Sequence, residues 1–134
     1  MANVAKLIFI DRDDKYLMMY RSPHPTFGDN DPDLPGGTVD GDESMIDAMV
    51  REVWEEIQVK IDKTQVEQIY SGDDYSAHGT HYALFITRVD ERPTLTISWE
   101  HSSYEWIDRD EFIRISASAL DSYMHMVAGT LEQG

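Results

Sequence analysis

From Val4 to Ile10 the chain is apolar at nearly every position, the pattern of a strand buried on both faces. Asp11-Arg12-Asp13-Asp14 reads as a turn, and Lys15 to Arg21 as a strand paired back onto the first. Ser22 to Asp33 gathers prolines, Gly28, Asn30 and aspartates and is expected to be a loop, followed by a tight strand-to-turn segment from Leu34 to Val39. The clearest helix spans Glu43 to Ile57, where Ile46, Met49, Val50, Val53, Trp54 and Ile57 recur at helical spacing on one face. Val59–Ile61, Thr64–Ser71, Thr80–Val89, Leu95–Trp99 and Tyr104–Ile107 are strand candidates, with a polar loop over Gly72–Gly79. A last helix is expected from about Ser116, with Ala117, Leu120, Met124, Val127 and Leu131 as its stripe and Gly129 as its stop. This order of strands, helix, strands and helix predicts an α+β fold, an α/β/α sandwich around a mixed sheet.

Composition narrows the function. At 134 residues the chain is read as one domain, 1–134, with no repeat, linker or low-complexity tract. The absence of cysteine removes disulfides, thiolate nucleophiles and Cys-based zinc sites. No signal-peptide pattern and no long apolar run is present, so a cytoplasmic protein without a membrane partner is expected. With 11 Lys and Arg against 26 Asp and Glu the net charge is −15. Such a surface repels a nucleic-acid backbone and argues against a polymeric nucleic-acid partner. It also repels free phosphates, so a phosphorylated substrate requires bound cations to invert the local field.

Helical residues follow one another at about 100° around the axis, which places Glu56 about 40° to one side of Glu52 and Glu55 about 60° to the other. Three carboxylates therefore share one arc. Oxygen clusters of this kind suit Mg²⁺ or Mn²⁺. Ala48, one turn earlier on that arc, leaves room for a ligand, and Arg51 can fix the Glu55 rotamer. On the helix alone, a solvated charge-laced face explains the residues equally well. The preceding Gly36-Gly37 shifts the balance, because glycines before a helix let backbone approach a ligand and a carbonyl join a metal shell.

From Gly37 the spacing is five residues to Glu43, seven to Arg51-Glu52, then Val53, one residue, Glu55-Glu56, one residue, Gln58 and Val59. This resembles the Nudix box. The single departure is Gln58, where that family carries glycine; it puts the helix exit in question and carries no chemistry. The Leu34-Pro35-Gly36-Gly37 approach and the late Glu100-His101, Tyr104 and Trp106 stretch are also similar to a Nudix domain.

The resemblance implies a pyrophosphohydrolase that cleaves a nucleoside diphosphate linked to another group. Glu52, Glu55 and Glu56 would be metal ligands with the Gly36 carbonyl a fourth, Arg51 would orient a carboxylate, and Glu43 would brace the loop against the helix. Mg²⁺ is the implied cofactor, with Mn²⁺ as substitute. Glu52 and Glu100 are the two candidates for the base. A nucleoside triphosphate or modified nucleotide is the favoured substrate, and a nucleotide sugar, or a silent nucleotide-binding domain, the alternative; the chain would act as monomer or homodimer. Lesser signals point elsewhere. Asp29, Asp31 and Asp33 have the alternation that opens a calcium loop, but Leu34 and Asp40 break the pattern, leaving a solvated loop at the mouth of the site. His78 and His81 read as a hairpin tip rather than a metal pair. Phe27, Tyr75 and Tyr104 are candidates to stack on a base, with Tyr104 and Trp106 favouring sheet core, and His24 lies in the same loop as Phe27.

Overall fold

The computed structural model describes residues 3–74 and 79–134. The apolar run becomes β1 (Asn3–Ile10), followed by β2 (Tyr16–Arg21), β3 (Pro32–Asp33), β4 (Gly36–Thr38), α1 (Met45–Ile57), β5 (Val66–Asp74), β6 (Thr80–Arg88), β7 (His101–Ile107), α2 (Arg109–Ala117) and α3 (Ser122–Glu132). One mixed seven-stranded sheet runs β3-β2-β1-β6-β5, with β4 paired to β1 and β7 to β2. The β1–β6 pair is parallel from Asn3↔His81 to Ile10↔Arg88, and every other pair is antiparallel.

Alternation along β1 feeds two cores. Ala5, Leu7 and Phe9 pack with Met49, Val53 and Ile57 of α1. Ile8 and Ile10 pack on the other face with Phe112 of α2 and with Tyr123, Met124, Val127 and Leu131 of α3. Helices thus cover both faces of the sheet, the expected α/β/α sandwich.

The sheet is split where the site forms. β1 and β2 share a single register point, Ile10↔Tyr16, and then part. Beyond that point β4 pairs with β1 and β3 with β2, so Leu34-Pro35 crosses the gap, tied by the Leu7 N–H donating to the Pro35 carbonyl at 2.9 Å. Gly36 lies against β1 so closely that a Cβ would sit 2.4 Å from the Ala5 carbonyl oxygen, and its φ of 134° excludes a side chain as well.

Several elements differ from expectation. Val59–Ile61 forms no strand; it packs on the α1 core and leads to a 3₁₀ turn at Lys63–Gln65. Leu95–Trp99 is likewise no strand. Its Thr96 and Ser98 N–H groups bond the carbonyls of Ile57 and Glu56, satisfying the open end of α1. β5 continues to Asp74, shortening the expected loop, of which Tyr75 and His78 lie outside the described residues. The single C-terminal helix is two. Asp108 and Asp121 each cap a helix start, and between them the buried Asp31 carboxylate accepts the Leu120 and Asp121 N–H groups, which breaks the helical run. Leu120 is consequently 66% exposed, and Gly129 sits inside α3 without stopping it.

α1 starts two residues later than expected, with Ser44 as N-cap accepting the Asp47 N–H. Its exit keeps the left-handed geometry associated with glycine. Gln58 adopts φ 59°, ψ 35°, its N–H donating to Trp54 O at 3.0 Å and its amide Nε2 to the same carbonyl at 3.1 Å. A non-glycine residue there costs about 1 kcal/mol. Gln58→Gly should therefore raise stability by about 0.5–1 kcal/mol and the melting temperature by about 2–4 °C. An unchanged or lowered melting temperature in a calorimetric scan would show that the side-chain bond to Trp54 outweighs the strain.

Candidate active site

A cleft of about 750 Å³ opens at the split in the sheet, lined on one side by Gly36, Gly37, Glu52, Glu56 and Glu100 and on the other by Lys6, Arg21, Phe27, Tyr82 and Tyr123. Sequence-expected and unexpected residues meet here. Glu52, Glu56, Gly36 and Glu100 come together as foreseen; Lys6, Asp33 and Arg21 were not foreseen.

Arg51 organises the helix face. Its guanidinium donates to Glu43 through Nε and Nη2, both at 2.9 Å, to Glu52 at 3.0 Å, to Glu55 at 3.2 Å and to the Thr38 carbonyl at 3.1 Å. Glu43 also accepts the Asp40 N–H at 2.9 Å, so it joins the loop to the helix. Glu52 is pressed against Gly37, where a Cβ would meet its carboxylate at 2.8 Å. Glu55 differs from its neighbours: its side chain is 54% exposed and it does not line the cleft. Ala48 is fully buried against the sheet and makes no room over the carboxylates; the space above them comes from the two glycines instead.

Glu56 reaches under the crossing segment and accepts the Gly36 N–H at 2.9 Å. Burial pushes its carboxyl up to about 9; the nearby charge of Asp33 and that of Glu100 add to the rise, while Lys6 and the Gly36 N–H oppose it. Glu52 is also raised, first by burial and then by the charges of Glu55 and Glu100, against Arg51. Two carboxylates in one cleft therefore hold protons more tightly than free glutamate.

Behind them lies a buried ionic group. Asp33 accepts Lys6 Nζ at 2.6 Å and stands 3.2 Å from Arg21 on one oxygen, and meets His101 Nε2 at 2.8 Å on the other. Burial alone would raise its carboxyl; Lys6, the His101 hydrogen bond and Arg21 hold it far below the usual range. Asp33, Glu56 and His101 present ligand atoms within 4.8 Å of one another, a spacing compatible with a metal. Yet Lys6 and Arg21 already supply the positive charge at Asp33. The opposite ring nitrogen of His101, Nδ1, has no hydrogen-bond partner and lies 3.8 Å from Glu56.

Asp31 and Asp33 are buried and bonded, not members of a solvated loop. Arg21 lies 4.3 Å over the Phe27 ring at the cleft rim, while His24 accepts the Thr26 and Phe27 N–H groups and shapes the turn. His81 pairs with Asp73 at 2.6 Å on the hairpin of β5 and β6. Trp106 packs toward the α1 core, and Tyr104 is exposed on β7.

The same architecture recurs among solved proteins. DR0079 from Deinococcus radiodurans aligns at TM-score 0.77 and 22% identity over 94% of this chain and 80% of that one. A C. elegans Ap4A hydrolase aligns at 0.69 and 18% over the whole of both chains. The E. coli ORF135 protein aligns at 0.66 and 26%, covering 96% of this chain and 92% of its own. No curated protein sequence matches. The fold class defined by the split sheet and acidic helix coincides with a family model, the NUDIX domain, which matches residues 1–126. The chain belongs to the Nudix family.

The carboxyl shifts predict a pH profile for the protein held in chelator. Glu56 binds its proton more tightly folded than unfolded, so its contribution to stability is full below about 4.5 and is lost as the pH climbs toward 9. Asp33 acts oppositely: its contribution is present above 3.8 and fades as the pH falls below that. Thermal melts should therefore show the highest melting temperature near pH 5 and a steady decline toward pH 9. Glu56→Gln should flatten the alkaline limb; a limb that survives in the variant would assign it to other groups.

Proposed function

We propose that this chain is a divalent-metal-dependent hydrolase cleaving a nucleoside diphosphate linked to another group, with a nucleoside triphosphate or modified nucleotide as substrate. The observation that carries the reading is the convergence of Glu52, Glu56 and Glu100 with the Gly36-Gly37 backbone in one cleft. The C. elegans relative is an Ap4A hydrolase by name, in keeping with a nucleotide in that cleft.

The residues suit a hard cation. Burial outweighs the positive charge near both raised carboxyls, since Arg51 is spread over Glu43, Glu52 and Glu55 and Lys6 is paired with Asp33. We assign Glu52 and Glu56 as ligands of Mg²⁺ from within the cleft and Glu55 as a ligand from its exposed place on the same helix face, with the Gly36 carbonyl as the fourth and Mn²⁺ as substitute. When bound, the ion neutralises diphosphate oxygens and acidifies the attacking water. Arg51 fixes Glu52 and Glu55 in place, Glu43 fixes Arg51, and the Gly36 N–H holds Glu56. The buried group around Asp33 is kept out of the ligand set because Lys6 occupies it. Of the two candidates for the base we choose Glu100, with Glu52 kept to metal binding. Glu100 lines the cleft, and among the described residues its carboxylate makes no ion pair or hydrogen bond, leaving it open to a water. Arg51 already holds Glu52.

Turnover measured with Mg²⁺ on a panel of nucleoside triphosphates and nucleotide sugars tests the reading. Glu56→Gln should lower kcat by orders of magnitude and weaken Mn²⁺ binding measured by electron paramagnetic resonance. Glu100→Gln should lower kcat by about 10²–10⁴-fold with Mn²⁺ affinity little changed. Full activity in both variants, with native melting curves, would remove the assignment.

A further inference from the structure

The cleft has two chemically different halves, and only the carboxylate half is used above. Lys6 follows the phase of Ile8 and Ile10 along β1, so its side chain lies on the α3 face of the sheet, away from the α1 core that contains Ala5 and Leu7. Its position 5.5 Å over the Tyr123 ring agrees. Lys6 thus faces the cleft from the wall opposite α1, while its charge is also felt at Glu56.

A lysine at this depth is unusual. Its side chain is 7% exposed, it lines the cleft, and among the described residues Asp33 is its single hydrogen-bond partner. An ammonium has three N–H donors. Two remain to be satisfied in a place where leaving them open is costly. A group docked there gains by presenting oxygen acceptors and loses by presenting amino donors. The rim supplies flat apolar surface, Phe27 under the Arg21 guanidinium and the exposed Leu120 3.9 Å from where a Gly28 Cβ would lie. An acceptor below and apolar edges above describe a planar ring carrying a carbonyl.

We propose that Lys6 is a specificity-determining residue: its ammonium, anchored by Asp33, donates to a ring carbonyl of the substrate's base and selects bases with a carbonyl on the pairing edge over adenine. This rests on the hydrolase reading above for the identity of the substrate, but not for its test. Asp33, itself buried and already bonded to Lys6 and His101, is the anchor of that ammonium.

The experiment is an NMR titration of the metal-free protein with GMP, UMP and AMP, which carry the same phosphate and so the same repulsion from a protein of net charge −15. GMP and UMP should bind at least about tenfold more tightly than AMP, the size of one well-made donor–acceptor match. Lys6→Met, close in shape and leaving Asp33 paired with Arg21 and His101, should bring the three within about threefold. Lys6→Gln, whose amide can also accept from an amino group, should do the same and preserves a polar atom if the methionine variant melts early. Equal binding of the three by the native protein, as a sugar-hydroxyl contact would give, overturns the proposal. So does no binding of any, or a carbonyl preference that survives in both variants. Hydrolysis of GTP and ATP is followed in parallel. Base preference without Mg²⁺-dependent hydrolysis would remove the hydrolase reading and leave the Lys6 assignment in place.

Discussion

The 2.6 Å contact between Lys6 and Asp33 is where the separate parts of this molecule are made to agree. Lys6 belongs to β1, Asp33 to β3, Arg21 to β2 and His101 to β7, and all four side chains meet in the interior. Taking an ion out of water costs several kcal/mol, and only close partners offset it. The position of each strand end is thereby constrained by the others. The split in the sheet is held by both means: β1 and β2 separate after Tyr16, the crossing segment pairs with each through β4 and β3, and the ion group ties their side chains together. The cleft is the space that results.

Acidity and position are linked in the same way. A surface of net charge −15 would ordinarily spread its carboxylates apart. α1 instead gathers Glu52, Glu55 and Glu56 and offsets them with the single guanidinium of Arg51, which also holds Glu43 and the Thr38 carbonyl. Glu56 lies beyond that guanidinium. Its companions are the Gly36 N–H and, farther off, the Lys6 charge, and neither matches the loss of water around it. The two glycines make this arrangement possible: Gly36 lets the crossing segment lie on β1, and Gly37 gives Glu52 the volume of a missing side chain.

Those features divide into what local spacing encodes and what it does not. The α1 face, its link to Gly37 and Glu43, and the run of β1 follow from period and spacing within a few tens of residues, and each was legible. Lys6 was not, because one polar residue in an apolar strand carries no sign of a partner 27 positions away. Asp33 looked like loop acidity for the same reason. The break between α2 and α3 was hidden too: Ala117, Leu120 and Met124 keep helical spacing, and the interruption comes from Asp31, 89 residues before Leu120. Leu95–Trp99 had strand composition but met helix carbonyls in need of donors before it met a strand edge. Ala48 misled because a small residue signals space on either side of a helix, and here the space was taken by the sheet.

The distribution of charge across the split bears on how one cleft can hold an anion and an uncharged ring together. The α1 side carries carboxylates whose protons are held too tightly for free acids, a deficit of positive charge. The α3 side carries the buried Lys6 and the half-buried Arg21, whose counter-charges are Asp33 and Asp121. A substrate lying across the split would place its diphosphate where cations are wanting and its neutral portion against cations already paired. In the proposed reading the phosphates then depend on metal, while Lys6 and Arg21, restrained by their aspartates, act as hydrogen-bond donors more than as bare charges. That division explains why the buried aspartates belong to the site at all. Without Asp33, Lys6 would be free to compete with the metal for phosphate; with it, the proposed reading has the two halves of the cleft meet different parts of one molecule.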